Sequence, residues 1–164
     1  MIPIPRSFRE FIQLLNRHRV RYVVIGGYAV AFHGYPRYTG DLDVFVEISL
    51  KNAAALARVL EQFGLTDDKI PLKPFLTRGT IVRTGREPMR LEIINKIDGA
   101  TFAECFKDRL VTHVGDLRIN FIGLVNLRRN KRAAGRPKDL DDLKRLPRSA
   151  KKRPLGPSEK KAHQ

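Results

Sequence analysis

The chain is poor in several residue types, and each shortage limits what the protein can be. Its 164 residues include one cysteine and no tryptophan, and 17 acidic residues stand against 32 Lys and Arg. A single cysteine, Cys105, rules out an internal disulfide and favours a reducing, cytoplasmic location. No apolar run approaches the roughly 20 residues of a membrane-spanning helix, and the first residues lack the basic start and apolar core of a signal peptide. We therefore expect a cytoplasmic protein with no membrane partner.

The shortage of acidic residues leaves a net charge of +15. Residues 147–164 hold six basic residues and one acidic residue among Pro, Ser and Gly, and we expect this tail to be disordered. Ten of the excess positive charges therefore lie on residues 1–146, which have the length of one domain. Excess charge on a folded domain favours a polyanionic partner such as a nucleotide or nucleic acid, although a basic surface can also serve solubility alone.

Apolar periodicity and turn residues predict alternating helices and strands, and hence an α/β fold. We expect a mixed sheet of about five strands with helices mainly on one side. Two Ser/Thr-x-x-Glu sequences, beginning at Ser7 and Thr101, predict capping boxes at helix starts. The predicted helices are 7–18, 28–32, 50–63, 102–106, 124–134 and 137–146, and the predicted strands are 23–25, 41–46 and the two hairpins 80–83/89–95 and 111–114/117–121.

The stretch from Val23 to Val46 organises the chain, because it reads as strand, glycine turn, short helix, loop and strand. Gly26 and Gly27 end the first strand, and without Cβ atoms they let a phosphate approach their backbone N–H groups. The short helix that follows points its N-terminus at the same place, which favours an anion there.

Acidic residues on two predicted strands suggest a metal site. Asp41 and Asp43 alternate with apolar residues, so both project from one face of their strand. Neighbouring carboxylates suit a hard cation such as Mg2+ or Mn2+, and without one they would repel each other. Glu92 lies between apolar residues on another strand and is the candidate third carboxylate. The alternative is an edge strand that leaves Glu92 in water beside Arg90.

The segment from Arg128 to Lys138 carries six positive charges and no negative charge. Its helix presents Lys131 as a candidate phosphate ligand. Asp139 and Asp142 follow one helical turn apart, and Lys138 lies four residues before Asp142. A local salt-bridge network on the protein surface is therefore the alternative to phosphate binding for this segment.

The order of these features resembles the polymerase-β-type nucleotidyltransferases, and in particular small bacterial members related to the abortive-infection AbiEii and mycobacterial MenT toxins. The resemblance runs from about Arg21 to Leu146. It rests on the Gly-Gly turn, the Asp-x-Asp pair, the acidic strand residue, the lysine-bearing helix and the Gly-Arg-Pro-Lys-Asp-x-x-Asp-Leu sequence.

The resemblance implies metal-dependent transfer of a nucleoside monophosphate from an NTP to an acceptor hydroxyl. The resemblance favours RNA as acceptor, particularly a tRNA end, with a protein hydroxyl and a small molecule as the open alternatives, and it implies a cognate antitoxin as a partner. Two departures, Gly27 for serine and Glu92 for aspartate, leave an alternative: a catalytically degenerate module that binds nucleic acid or a partner protein. The implied metal ligands are Asp41, Asp43 and Glu92, Lys131 joins them as a catalytic residue, and the implied nucleotide-binding residues are Gly26, Gly27, Arg37, Thr39, Lys131, Lys138 and Asp139.

Overall fold

The protein is described by a computed structural model that covers residues 3–64, 69–86, 89–149 and 160–161. Helices and strands alternate over most of this length. In chain order they are α1 (Arg6–Arg17), β1 (Tyr22–Ile25), α2 (Gly26–Phe32), β2 (Asp41–Val46), α3 (Leu50–Gln62), α4 (Lys73–Leu76), β3 (Ile81–Arg86), β4 (Met89–Ile94), α5 (Phe102–Lys107), β5 (Leu110–Val114), β6 (Leu117–Phe121), α6 (Leu124–Ala134), α7 (Pro137–Arg145) and β7 (Lys160–Lys161).

The strands form one mixed sheet in the order β3-β4-β2-β1-β6-β5-β7. β1 pairs antiparallel with β2 and parallel with β6, while β2 pairs parallel with β4. The two outer hairpins, β3–β4 and β5–β6, are antiparallel as the sequence predicts. The predicted α/β class with a mixed sheet is confirmed, and the described residues form six strands of four or more residues in place of about five.

The core lies against the apolar face of β2, where Leu42, Val44 and Val46 are all buried. Helix α2 packs on β1 and β2, and α1 packs on α3 and β6. The opposite face of β2 carries Asp41, Asp43 and then Phe45, which the Phe102 ring of α5 covers edge-to-face at a centroid distance of 5.3 Å. The alternation predicted for this strand is therefore present, and it leaves the acidic end of that face open.

One predicted helix cap is wrong and the other is confirmed. Helix α1 begins at Arg6 with Pro5 as its N-cap, so Ser7 lies inside the helix and makes no cap, while Glu10 pairs with Arg6 at 3.1 Å. In α5 the Thr101 hydroxyl accepts a hydrogen bond from the Glu104 backbone N–H at 3.2 Å, and Glu104 accepts one from the Thr101 N–H at 3.0 Å.

This contrast gives a stability prediction with a matched control. Thr101→Ala is expected to lower the free energy of unfolding by about 1 kcal/mol, because the first turn of α5 loses its cap. Ser7→Ala removes a hydroxyl that caps nothing and should change it by less than about 0.5 kcal/mol. Urea unfolding measures both. Equal losses for the two variants would contradict the assignment of the caps.

The expected disordered tail, residues 147–164, lies mostly outside the described residues, so that expectation stays untested. Within the described ranges, no helix has the length and apolar character needed to cross a membrane.

Candidate active site

A cleft of about 510 Å3 opens over the acidic face of the sheet, and every residue selected from the sequence as a site residue lines it. The contributing elements are the junction of β1 with α2, the loop before β2, strands β2, β3 and β4, and the helices α6 and α7. The predicted residues brought together there are Gly26, Gly27, Arg37, Thr39, Asp41, Asp43, Glu92, Lys131, Lys138 and Asp139.

The strand register explains why the three carboxylates meet. In the parallel pairing of β2 with β4, Asp43 lies directly beside Glu92, and Asp41 lies beside Arg90. Because Asp41 and Asp43 are two residues apart on one strand, they share a face. The three acidic side chains therefore form one patch on the floor of the cleft.

Two arginines hold the outer members of this patch. Arg83 of β3, directly opposite Glu92 in the antiparallel register, donates to it at 2.8 Å, and Arg90 Nη2 donates to Asp41 at 3.2 Å. The side chain of Arg83 is 60% exposed and that of Arg90 is 35% exposed. The carboxylates are less exposed, at 15% for Glu92 and 32% for Asp41, so each needs another positive charge in place of its arginine when the pair opens.

Asp43 is the carboxylate of the patch whose ionised form is most disfavoured. Burial, the hydrogen bond and negative charge of Glu92, and the charge of Asp41 raise the pKa of Asp43 from 3.8 to about 7, against the opposing charge of Lys138. Its Oδ1 atom is buried and has no hydrogen-bond partner in the structure. A buried carboxylate oxygen without a donor calls for a cation or a proton.

These residues fit a divalent cation chemically, although their present arrangement is not a finished site. Three carboxylates offer the hard oxygen ligands that Mg2+ and Mn2+ prefer, and the unpartnered Oδ1 of Asp43 is directed to no protein donor. Over the described parts of the chain, no three His, Cys, Asp or Glu side chains stand ready as a metal-binding group. Two of the three carboxylates are instead paired with arginines, Glu92 with Arg83 and Asp41 with Arg90.

The glycine turn fits closely against this patch. Gly26 has a φ of +68°, and a Cβ atom there would overlap the Oδ2 atom of Asp43. A Cβ on Gly27 would lie 2.6 Å from the Thr39 hydroxyl. Thr39 thus occupies the space that a serine side chain at position 27 would need. Where the Gly-Ser form has a serine hydroxyl, this protein has the hydroxyl of Thr39, which the loop before β2 places next to Gly27.

The close approach of Gly26 gives a second prediction. Gly26→Ala is expected to destabilise the protein by about 2–4 kcal/mol, because it combines a left-handed backbone with a collision against Asp43. Gly115→Ala is the matched control, since Gly115 has a φ of +61° and open space around its missing Cβ. That variant should lose only about 1–2 kcal/mol. Equal losses in urea unfolding would show that the contact with Asp43 is unimportant.

A buried ion-pair network closes the other side of the cleft. Lys131 is 5% exposed, and its Nζ lies 3.2 Å from Asp139 and 3.1 Å from Asp142, which are each 1% exposed. Arg37 donates to both carboxylate oxygens of Asp142 at 2.9 and 3.0 Å, which ties the loop before β2 to α7. The salt-bridge network considered for this segment is therefore present, but its lysine is Lys131, and Lys138 forms no ion pair with any residue that the structure describes.

Within the network, Arg136 completes the shell around Asp139 through a bond of 2.6 Å from its Nε. Burial acts to raise the pKa of Asp139, but the hydrogen bond from Arg136 and the charge of Lys131 outweigh it and hold that pKa below its ordinary value. Asp139 is thus an ionised, fully bonded carboxylate. Lys138 is exposed at the cleft rim, and its charge acts on Asp43.

Sequence reasoning missed several residues of this cleft. Arg83 could have been found from the hairpin, because its antiparallel register places it opposite Glu92. Arg136 could have been found from its i,i+3 spacing to Asp139. Further lining residues whose placement depends on long-range packing are Lys96, Asp98 and Asn130.

No protein-family model matches the sequence, and no curated protein matches it significantly. Solved structures do share its fold. A protein from Thermotoga maritima, provisionally assigned as a nucleotidyltransferase, superposes with a TM-score of 0.61 at 16% identity, covering 85% of this chain and 89% of that chain.

Two further structures are similar to a lesser degree. The enzyme ANT(2″)-Ia, solved with adenylyl-2″-tobramycin, gives a TM-score of 0.53 at 11% identity over 84% of this chain and 83% of that chain. An antigenic nucleotidyltransferase-like protein from Paracoccidioides brasiliensis gives 0.54 at 14% identity, over 87% and 76% of the two chains. The chain therefore has a nucleotidyltransferase-like fold, and the chemistry must be argued from its own residues.

Proposed function

We propose that the protein transfers a nucleoside monophosphate from an NTP to an acceptor hydroxyl, with Mg2+ or Mn2+ as cofactor. The observation that carries this proposal is the convergence of all the residues selected from the sequence on one cleft. They come from positions as far apart as Gly26 and Asp139. The superposition on nucleotidyltransferase folds supports the same class of reaction.

The phosphate end of the NTP is proposed to lie at the β1–α2 turn. The proposed phosphate donors are the backbone N–H groups of Gly26 and Gly27, beside the Thr39 hydroxyl, although the space at the missing Cβ atoms is taken by the side chains of Asp43 and Thr39. Lys138 is the lysine proposed to offset charge on the leaving pyrophosphate, because it is exposed in the cleft and its charge acts on Asp43. The charge of Lys131 is already shared by two carboxylates, so its proposed contribution is to hold that wall of the cleft in place.

Asp41, Asp43 and Glu92 are the proposed metal ligands. The bound ion would supply charge neutralisation of the triphosphate and activation of the acceptor hydroxyl. Binding requires Asp43 to be ionised, and it requires Asp41 and Glu92 to exchange their arginines for the cation. The released Arg83 and Arg90 would then lie at the edge of the cleft, where their charge favours the incoming polyanion.

In the proposed reaction the acceptor oxygen attacks the α-phosphorus while the bond from that phosphorus to the bridging oxygen breaks, and pyrophosphate leaves. Glu92 is the proposed acceptor of the hydroxyl proton, since it lies beside Asp43 on the cleft floor. Most of the rate enhancement is expected from positioning and charge stabilisation.

The acceptor proposed from the resemblance is RNA, with a tRNA end as the specific case, and an antitoxin partner is proposed on the same resemblance. A second candidate is a degenerate module that binds nucleic acid or a protein without catalysis. The pairing of Asp41 and Glu92 with arginines favours this second candidate, because both carboxylates already have a counter-charge within the protein.

Transfer from labelled NTPs separates the two candidates. The full chain is incubated with total RNA, Mg2+ or Mn2+, and NTP labelled on either the α- or the γ-phosphate. The proposal predicts that the α-label enters RNA and that the γ-label leaves as pyrophosphate. No incorporation with any of the four NTPs, together with retained RNA binding, would favour the binding module.

A further inference from the structure

A second cavity, of about 600 Å3, adjoins the first along the same face of the sheet. Phe45 and Glu47 line it, and they continue the alternation that places Asp41 and Asp43 in the candidate active site. Because a strand rises about 3.3 Å per residue, Phe45 lies roughly 7 Å beyond Asp43. Lys96 and Ile97 line both cavities. The second cavity is thus a neighbour of the carboxylate patch and shares two lining residues with the first cavity.

The second cavity has an aromatic side and a charged rim. Phe102, half-buried, lines it while packing against Phe45 and against Phe106, whose ring centroid lies 5.4 Å away. A partly open ring of this kind offers a surface on which a nucleic-acid base can stack.

The charges on the rim do not cancel. Glu47 is bonded to Arg21 at 2.8 Å, and Glu104 is bonded to Arg129 at 2.9 Å, so both acidic residues already have basic partners. Arg78 and Lys96 are exposed, and neither side chain forms a hydrogen bond or ion pair with any residue the structure describes. The two charges left unbalanced at this cavity are both positive.

We propose that the second cavity binds the acceptor as a single-stranded polynucleotide, with a phosphate at Arg78 and Lys96 and a base against Phe102. This inference rests on the proposed function, because it assigns the acceptor of that reaction to a place beside the carboxylates. A chain whose successive units lie a few ångströms apart can occupy both cavities at once. A polycationic acceptor of the tobramycin kind, seen in the ANT(2″)-Ia structure, would meet two uncompensated positive charges here.

The test measures binding without requiring catalysis. A fluorescent single-stranded oligoribonucleotide of roughly 12 nucleotides is titrated with the full chain in Mg2+ without NTP, over about 50–200 mM salt. Arg78→Ala/Lys96→Ala is compared with Lys51→Ala/Arg58→Ala, which removes one lysine and one arginine from the exposed side of α3. Neither control residue lines either cavity.

We expect the cavity variant to bind the oligonucleotide about 10-fold more weakly, with a salt slope reduced by about 0.7 per lost phosphate contact. The control should lose less than about 2-fold, and both variants should keep the wild-type melting temperature. Equal losses in the two variants, no loss in either, or no binding by the wild type would overturn the inference.

Activity then separates this inference from the proposed function. One outcome is that the wild-type protein transfers no label while the cavity variant alone still loses oligonucleotide binding. That pair of results would keep the polynucleotide site and reject the transferase. Arg78 lines the second cavity alone, so Arg78→Ala serves for this comparison. If the protein transfers label to a small uncharged or cationic acceptor and Arg78→Ala leaves that transfer unchanged, the transferase is kept and the polynucleotide site is rejected.

Discussion

Asp43→Asn is expected to reduce nucleotidyl transfer by about 10³-fold or more. Asp43 is central to the carboxylate patch, with Asp41 two residues away on its strand and Glu92 beside it on the next. Its Oδ1 has no protein partner, so it is the ligand most available to a cation. An amide keeps the shape of the side chain but removes the charge that a divalent ion requires.

The same variant is expected to stabilise the metal-free protein above pH 7. The pKa of Asp43 is raised from 3.8 to about 7 in the fold. Between these values the folded state holds a proton that the unfolded state has released, so stability falls as pH rises through this window. Above pH 7 the wild type carries the full penalty of a buried carboxylate, and Asn avoids it. We expect a gain of about 1–2 kcal/mol at pH 8 and little gain at pH 4.

Urea unfolding in EDTA at pH 4, 6 and 8 measures this effect, and label transfer measures the loss of activity. Asp116→Asn is the control, because Asp116 is exposed in the β5–β6 turn and lies outside the cleft. It should leave both activity and the pH dependence unchanged. Full activity in Asp43→Asn, or a destabilisation that grows with pH, would contradict the assigned role of Asp43.

Lys131→Ala is expected to lower the free energy of unfolding by about 3–5 kcal/mol. Its ammonium group lies between Asp139 and Asp142 at 3.2 and 3.1 Å, and all three side chains are almost fully buried. Removing one partner of a buried ion pair leaves charge without compensation, which costs far more than losing a surface pair. Arg37 and Arg136 each still bond one carboxylate, and so the loss should stay within this range.

Lys138→Ala is the matched control for Lys131→Ala. Lys138 is exposed seven residues later and lines the same cleft. Its removal should change the free energy of unfolding by less than about 0.5 kcal/mol while weakening NTP binding. Urea unfolding and NTP-dependent thermal shift measure the two effects. The account would be wrong if Lys131→Ala were as stable as Lys138→Ala, or if Lys138→Ala left the NTP-dependent shift unchanged.

The parts of the site that follow from local sequence could be predicted. Asp41 and Asp43 share a face because strand side chains alternate, whatever the strand pairs with. The Gly26–Gly27 turn ends β1 as predicted, although α2 begins at Gly26 itself, before the predicted start. Both hairpins are adjacent in the chain, so their antiparallel pairing needed no knowledge of the remaining sheet.

The parts that depend on distant packing could not be predicted. No sequence pattern placed β4 beside β2, and that pairing is what brings Glu92 to Asp43 and Arg90 to Asp41. The contact of Arg37 with Asp142 spans 105 residues. In place of the local Lys138–Asp142 pair considered from the sequence, the structure has a network that joins the loop before β2 to α6 and α7.

The capping box predicted at Ser7 was wrong because another residue nearby serves as the N-cap of α1. Ser7 and Glu10 have capping-box spacing, but α1 begins one residue earlier because Pro5 serves as the N-cap. Glu10 then pairs with Arg6 across one turn. Thr101 and Glu104, which face no such competitor, form the predicted cap.

The most direct test of the account is a crystal structure of the protein with Mg2+ and a non-hydrolysable NTP analogue. The account predicts a metal ion bound to Asp41 and Asp43, with Glu92 turned from Arg83 toward it, and the phosphates against Gly26 and Gly27. Nucleotide bound elsewhere would contradict it, as would an Asp41–Arg90 pair that persists at saturating Mg2+ with no ion beside Asp43.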